Sequence, residues 1–176
     1  MKIGLLAGYL CRLALTDSVA IHPIGTLQER EWCAQLMASS EPWLTLRRTI
    51  DACRRLVSDP SREVYVARAA GELIGFLILA MMGPFPGYIQ TVCVVPDRRG
   101  GGVGSLLLAF AETRVFKDSP NVFLCASSFN PRARELYERS GYTLIGELTN
   151  YLVAAHSELL YRKTRGPWNE FVAPRS

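Results

Sequence analysis

Histidine is scarce in this chain of 176 residues, with only His22 and His156, far apart. Five cysteines stand at 11, 33, 53, 93 and 125, scattered and without a CxxC pair. These absences exclude a zinc framework, and no metal is expected. An odd, scattered set also lacks the pairing of a secreted disulfide scaffold. The cysteines therefore read as buried thiols of a reducing, cytoplasmic compartment. No run reaches the roughly 20 apolar residues of a membrane span. The net charge of +4 suits an anionic ligand but falls far short of the basic stripe of a nucleic-acid binder. Neither nucleic acid nor membrane is expected as a partner. Repeats, low-complexity tracts and domain linkers are also missing.

What is present is ordinary globular composition, 49% hydrophobic and 20% charged, in a length that suits one domain. The first residues, "MKIGLLAGYLCRLALTDS", carry an apolar run from Ile3 to Leu10. That outline resembles a signal peptide, but Arg12 follows closely and no small-x-small cleavage site stands nearby. Residues 1–18 are read as an N-terminal extension, 19–163 as a single domain and 164–176 as a tail.

Periodicity supplies the elements. "VAIHPI" (19–24) reads as a strand, then helices over 27–40 and 45–59 follow from apolar residues at helical spacing. The arginines at 47, 48, 54 and 55 read as a solvated face of the second helix. Residues 62–83 change to a β-hairpin turning at Ala70-Gly71, and "YIQTVCVV" (88–95) is a third strand. A helix to about Lys117 and the strand "NVFLCASS" (121–128) complete a βαβ unit with a locally parallel pair. "NPRARELYERSGY" (130–142) is a helix with Asn130 as N-cap, Pro131 in its first turn and Gly141 past its end. "YTLIGEL" and "SELLYRKT" are the last strands.

The third strand runs into "RRGGGVGS", residues 98–105, with glycine at 100, 101, 102 and 104. Each glycine heading a helix costs about 1 kcal/mol against alanine. The gain is an anion site. Unpaired N–H groups and the helix dipole face the ligand, and no Cβ holds a phosphate away. The segment lacks the Lys-Ser/Thr of the Walker pattern and the 0, 2, 5 spacing of GxGxxG. It fits Arg-x-x-Gly-x-Gly, with Arg99, Gly102 and Gly104.

Two patterns together resemble the GNAT superfamily of N-acetyltransferases. V-x-P-x-x-R-x-x-G-x-G is met by Val94, Pro96, Arg99, Gly102 and Gly104. N-x-x-A-x-x-x-Y-x-x-x-G-[FY] is met by Asn130, Ala133, Tyr137, Gly141 and Tyr142. The resemblance implies an α/β fold whose mixed, mostly antiparallel sheet is splayed at its centre, with helices on both faces. It implies acetyl-CoA as cofactor, its pyrophosphate on the N–H groups of Arg99, Gly100, Gly101, Gly102, Val103 and Gly104, with Ser105 close by. The pantetheine arm would pair with the backbone near Val92 and Val94, where a bulge would open the cleft, and Asn130 and Ala133 would line the other wall. Tyr137 would protonate the departing thiolate. On residues alone, Tyr137 reads first as a core tyrosine, Asn130 is explained as a plain helix cap, and Cys93 and Cys125 read as packed thiols rather than nucleophiles.

The implied reaction is acetyl transfer to a primary amine, of a small molecule or a peptide, by direct attack in a ternary complex. The alternatives are an acyl-CoA-binding module without efficient catalysis and an unrelated nucleotide binder. An acceptor pocket is expected between 39–45 and 149–157. Trp43 and Tyr151 would be its aromatic walls, Glu41 would attract an amine and Gln90 would order a water; Trp43 reads equally as a hydrophobic plug. The resemblance leaves room for a homodimer. The family's usual carboxylate on the central strands is missing, so no general base is assigned; Glu41 and Glu147 are the nearest candidates. An enzyme without a base should favour peptide α-amines, with pKa about 8, over lysine at about 10.4.

Overall fold

The computed structural model describes residues 19–174, so the N-terminal extension, with Cys11, lies outside the described residues. Strand β1 (Ala20–Pro23) leads into α1 (Leu27–Ala38) and α2 (Ile50–Val57). Then come β2 (Glu63–Ala69), β3 (Glu72–Ala80), β4 (Tyr88–Val94) and α3 (Val103–Val115). Strand β5 (Asn121–Ser127), α4 (Pro131–Arg139), β6 (Thr143–Thr149) and β7 (Ser157–Thr164) complete the order.

Local chemistry accounts for most boundaries. A capping box starts α1: the Thr26 hydroxyl accepts from the Glu29 N–H, and the Glu29 carboxylate accepts from the Thr26 and Gly25 N–H groups. Thr49 caps α2 through the Ala52 N–H. The second helix is shorter than its pattern suggests. Residues 40–47 coil into turns, where Leu46 N–H donates to the Pro42 carbonyl and Arg48 N–H to that of Trp43. The β2–β3 hairpin turns on Ala70 and Gly71, with φ of 50° and 83°, a left-handed pair that matches strand twist.

The seven strands form one sheet in the order β1-β2-β3-β4-β5-β7-β6. All neighbours are antiparallel except β4 and β5, the parallel pair joined by α3. Side chains alternate between two cores. On one face Val122, Leu124 and Ala126 of β5 and Leu159 and Tyr161 of β7 meet Leu107, Leu108 and Ala111 of α3 and Tyr137 of α4. On the other, Val64, Val66, Phe76, Ile78 and Cys93 meet Cys33, Ala34 and Met37 of α1 and Cys53 and Val57 of α2. The sheet therefore carries helices on both faces. Among the described residues no helix is long and apolar enough to cross a membrane.

Candidate active site

The site begins as a gap in the sheet. Strands β4 and β5 pair only at Tyr88–Phe123 and Ile89–Leu124. Just before β4, the Gly87 carbonyl accepts from the Phe123 N–H at 3.1 Å, and a Cβ on Gly87 would stand 2.7 Å from the Asn121 carbonyl. Just beyond, the β3–β4 register passes from Leu79–Ile89 to Ile78–Thr91, leaving Gln90 as an extra residue. Such a bulge bends its strand, and β4 swings away from β5. The Val95 N–H donates back to the Ile74 carbonyl at 3.0 Å. By alternation the N–H and C=O groups of Val92 and Val94 face the opposite edge, into the gap.

The glycine turn closes one end of this gap. A single 3₁₀ turn, Pro96–Arg98, ends β4. The Arg99 N–H donates to the Pro96 carbonyl at 3.3 Å, so it is already used. Arg99 acts through its side chain instead: Nε donates to the Val94 carbonyl at 2.9 Å and Nη2 to the Ser40 hydroxyl at 3.3 Å. Gly100 and Gly102 take φ of 81° and 94°, which a side chain would resist. Thr26, Thr49 and Asn130 cap α1, α2 and α4 with side chains, but Gly102 offers α3 none. Among the described residues the N–H groups of 100 to 105 have no protein acceptor. Unpaired donors and a helix dipole there form a cradle for an anion.

A cleft of about 830 Å³ runs from this cradle. It is lined by Val92, Val94, Arg99, Gly100, Gly101, Gly102, Gly104 and Ser105 on one side and by Asn130, Ala133 and Tyr137 on the other. Glu41 and Trp43 line it too, although Trp43 is also buried in the α1–α2 core. Val103 does not line it: its side chain is in the α3 core and only its N–H faces the cradle. Tyr151 is 64% exposed and stands outside the cleft. Gln90 sits at the bulge, with Oε1 buried and unpaired. The cleft further takes in Arg132, Glu135 and Arg139 of α4, which the sequence pattern alone did not single out.

Tyr137 is buried between Tyr142 and Tyr161, each ring 6.1 Å away. Burial pushes its hydroxyl up to about 12, so it stays protonated at neutral pH. Among the described residues that hydroxyl has no hydrogen-bond partner. Asn130 accepts from the Ala133 N–H at 3.2 Å and so serves as the α4 cap. Cys93 is buried, which pushes its thiol up to about 12 and makes it a poor nucleophile.

One residue near the gap escaped the pattern. Glu158, at the start of β7, is 7% exposed, and its Oε1 accepts from the Ser127 hydroxyl at 2.6 Å. Burial raises its carboxyl above the usual range. Tyr88, Cys125 and Tyr137 all lie within its field. The signal available in the sequence was a lone acidic residue opening an apolar strand. Glu147, by contrast, is exposed on β6.

A family model described as acetyltransferase (GNAT) family matches residues 24–142. The chain belongs to the GNAT family. An uncharacterized protein of Mycobacterium leprae is 33% identical over 102 residues; the match covers 56% of this chain and 28% of that protein, so the chain spans under a third of its relative's length. Among solved structures, a GNAT-family protein of Desulfovibrio desulfuricans superposes with a TM-score of 0.71 at 19% identity, covering 83% of this chain and 98% of that one. An aminoglycoside 6'-N-acetyltransferase complexed with coenzyme A gives 0.68 at 18% identity, covering 84% and 98%. A spermidine N-acetyltransferase of Vibrio cholerae, in complex with CoA and spermine, gives 0.67 at 17%, covering 85% and 96%. At these identities the likeness is one of fold.

Proposed function

We propose that the protein is an acetyl-CoA-dependent N-acetyltransferase, acting on a primary amine of a small molecule or peptide by direct attack in a ternary complex. The observation that carries this reading is the uncapped start of α3, opening into a cleft that Tyr137 also lines. The residues fit acetyl-CoA: Gly100, Gly101, Gly102 and Gly104 present no Cβ to the cradle, and the N–H groups of 100 to 105 suit a pyrophosphate. Because Arg99 occupies the Val94 carbonyl, the pantetheine amides would use the Val94 N–H and the Val92 backbone. Bound there, acetyl-CoA supplies an activated thioester. Asn130 and Ala133 form part of the opposite wall. Tyr137, neutral at working pH, gives its proton to the leaving sulfur. Glu41, exposed beside Trp43, draws a cationic amine toward the cleft. Neighbours that act on a polyamine or an aminoglycoside are consistent with an amine acceptor.

Two measurements test this. Acetyl-CoA at a hundredfold excess over Kd should stabilise the protein by roughly 2.7 kcal/mol. A panel of polyamines, aminoglycosides and short peptides should show acceptor-dependent release of CoA thiol. Absence of both the thermal shift and thiol release would end the proposal.

A further inference from the structure

The reaction needs an acceptor for the amine proton, and β4 and β5 offer no carboxylate. Yet a carboxylate stands close by on the next strand, β7, just outside the residues that line the cleft. In β5, Val122, Leu124 and Ala126 face α3, so Cys125 and Ser127 face the α1–α2 side. Ser127 is paired in register with Glu158 of β7, which therefore shares that side. Tyr88, next to the α3-facing Ile89, points there as well. The sheet is open between β4 and β5 at this level. Tyr137 thus lines the gap from one face, while Tyr88, Cys125 and Glu158 stand beside it on the other.

The form of Glu158 is unusual for a structural residue. A buried carboxylate is normally paired, because desolvating an unpaired charge is costly. Glu158 has no cationic partner among the described residues, and its one hydrogen bond comes from a neutral hydroxyl. That bond uses Oε1. Oε2 has no protein partner, yet it is not among the sealed, unpaired atoms, so solvent reaches it. The titratable groups that face it are the Tyr88 hydroxyl from β4, the Cys125 thiol from β5 and the Tyr137 hydroxyl from α4. His156 lies two residues away, its ring stacked on Phe129 at 4.9 Å.

We infer that Glu158, oriented by Ser127, is the proton acceptor for the attacking amine. This rests on the acetyltransferase reading. As the nitrogen–carbon bond forms and the carbon–sulfur bond breaks, the amine proton passes to Oε2, directly or through one water. The leaving sulfur takes its proton from Tyr137. Glu158 and Tyr137 then exchange one proton each with solvent, restoring both. A protein with two proton-transfer groups on opposite faces of one gap can receive acetyl-CoA from one side and the amine from the other.

The test uses the full chain with its best amine acceptor. Wild-type log kcat/KM should fall on the acid side with an inflection above the ordinary carboxylate value of about 4.3, unmoved when the acceptor is changed for one of different pKa. Glu158→Gln should lower kcat/KM on the order of 10²-fold or more and let the inflection follow the acceptor. Its acetyl-CoA-induced thermal shift should match wild type. Ser127→Ala removes a bond that holds the carboxyl down, so the inflection should rise while the protein stays folded. In the unliganded protein, infrared difference spectra should show the protonated carboxyl titrating at that same pH, absent from Glu158→Gln. A wild-type inflection that tracks the acceptor, or an unchanged profile in both variants, overturns the assignment while acetyl-CoA binding and turnover still stand. Loss of acetyl-CoA binding in wild type would instead strike the functional reading beneath it.

Discussion

The Nε–H of Arg99 donates to the Val94 carbonyl across 2.9 Å, fastening the glycine turn to the strand it leaves. Its Nη2 reaches Ser40 at the end of α1, so one side chain ties three segments together. Arg99→Ala should cost about 1 kcal/mol of stability and weaken acetyl-CoA more than that, because the cradle loses its anchor. Arg99→Lys should rescue little, since an ammonium lacks the planar fork that serves both acceptors. Thermal melts and calorimetric titration of the two variants check this.

Gly101 and Gly102 separate space from backbone strain. Gly102 has φ of 94°, so Gly102→Ala should cost roughly 1–2 kcal/mol in the free protein. Gly101 has no such φ, and a Cβ there would meet only the Arg98 carbonyl, at 3.4 Å. Gly101→Ala should leave stability nearly unchanged. If the cradle binds a pyrophosphate, both variants should still lose acetyl-CoA affinity. Equal affinity in Gly101→Ala would sink the claim that this N–H faces the ligand.

Tyr137→Phe removes a hydroxyl that no group among the described residues pairs. Stability and acetyl-CoA affinity should hold, while kcat falls on the order of 10²-fold or more. Because burial pushes this hydroxyl up to about 12, it remains an acid throughout the neutral range. No downward limb assignable to Tyr137 should appear in the rate profile between pH 7 and 10. Stopped-flow or steady-state rates across that range, with each protein, decide the matter.

Glu29 predicts how the fold answers acid. The Gly25 N–H, then the Arg68 side chain and the Thr26 N–H, hold its carboxylate down to about 2 against an ordinary 4.5. The native state thus binds the Glu29 proton less readily than the unfolded chain. Its contribution is complete above about pH 4.5 and drains away as pH falls toward 2. Glu29→Gln should be less stable than wild type at pH 7, with the gap shrinking below pH 4.5. Urea midpoints measured from pH 7 to pH 2.5 follow this directly.

The glycine turn, the Asn130 cap and the hairpin at Ala70-Gly71 could be read from sequence because each depends on near neighbours. Periodicity likewise sufficed for strands whose apolar faces alternate. Glu158 could not be read so, because its meaning depends on Ser127, thirty-one residues earlier in the chain and opposite in register. Arg99 was visible as a motif residue, but not as a brace, since Val94 and Ser40 meet it only in space. Tyr151 is the converse case. A loop aromatic near the expected pocket looked useful, yet its turn leaves it in solvent.

The two-pair contact between β4 and β5 has a mechanical consequence. Most other neighbouring strands are laddered along nearly their whole length, so the sheet behaves as two stiff plates, one made of β1 to β4 and the other of β5, β7 and β6. The plates share a short flexure at Tyr88–Phe123 and are strapped across it by α3. The gap is therefore where the sheet's own ladder is thinnest. A molecule lying along the free edge of β4 would act as a crossbeam, stiffening the assembly against twist. Because the core beneath α3 takes side chains from both plates, it is there that any rotation of one plate against the other would be felt.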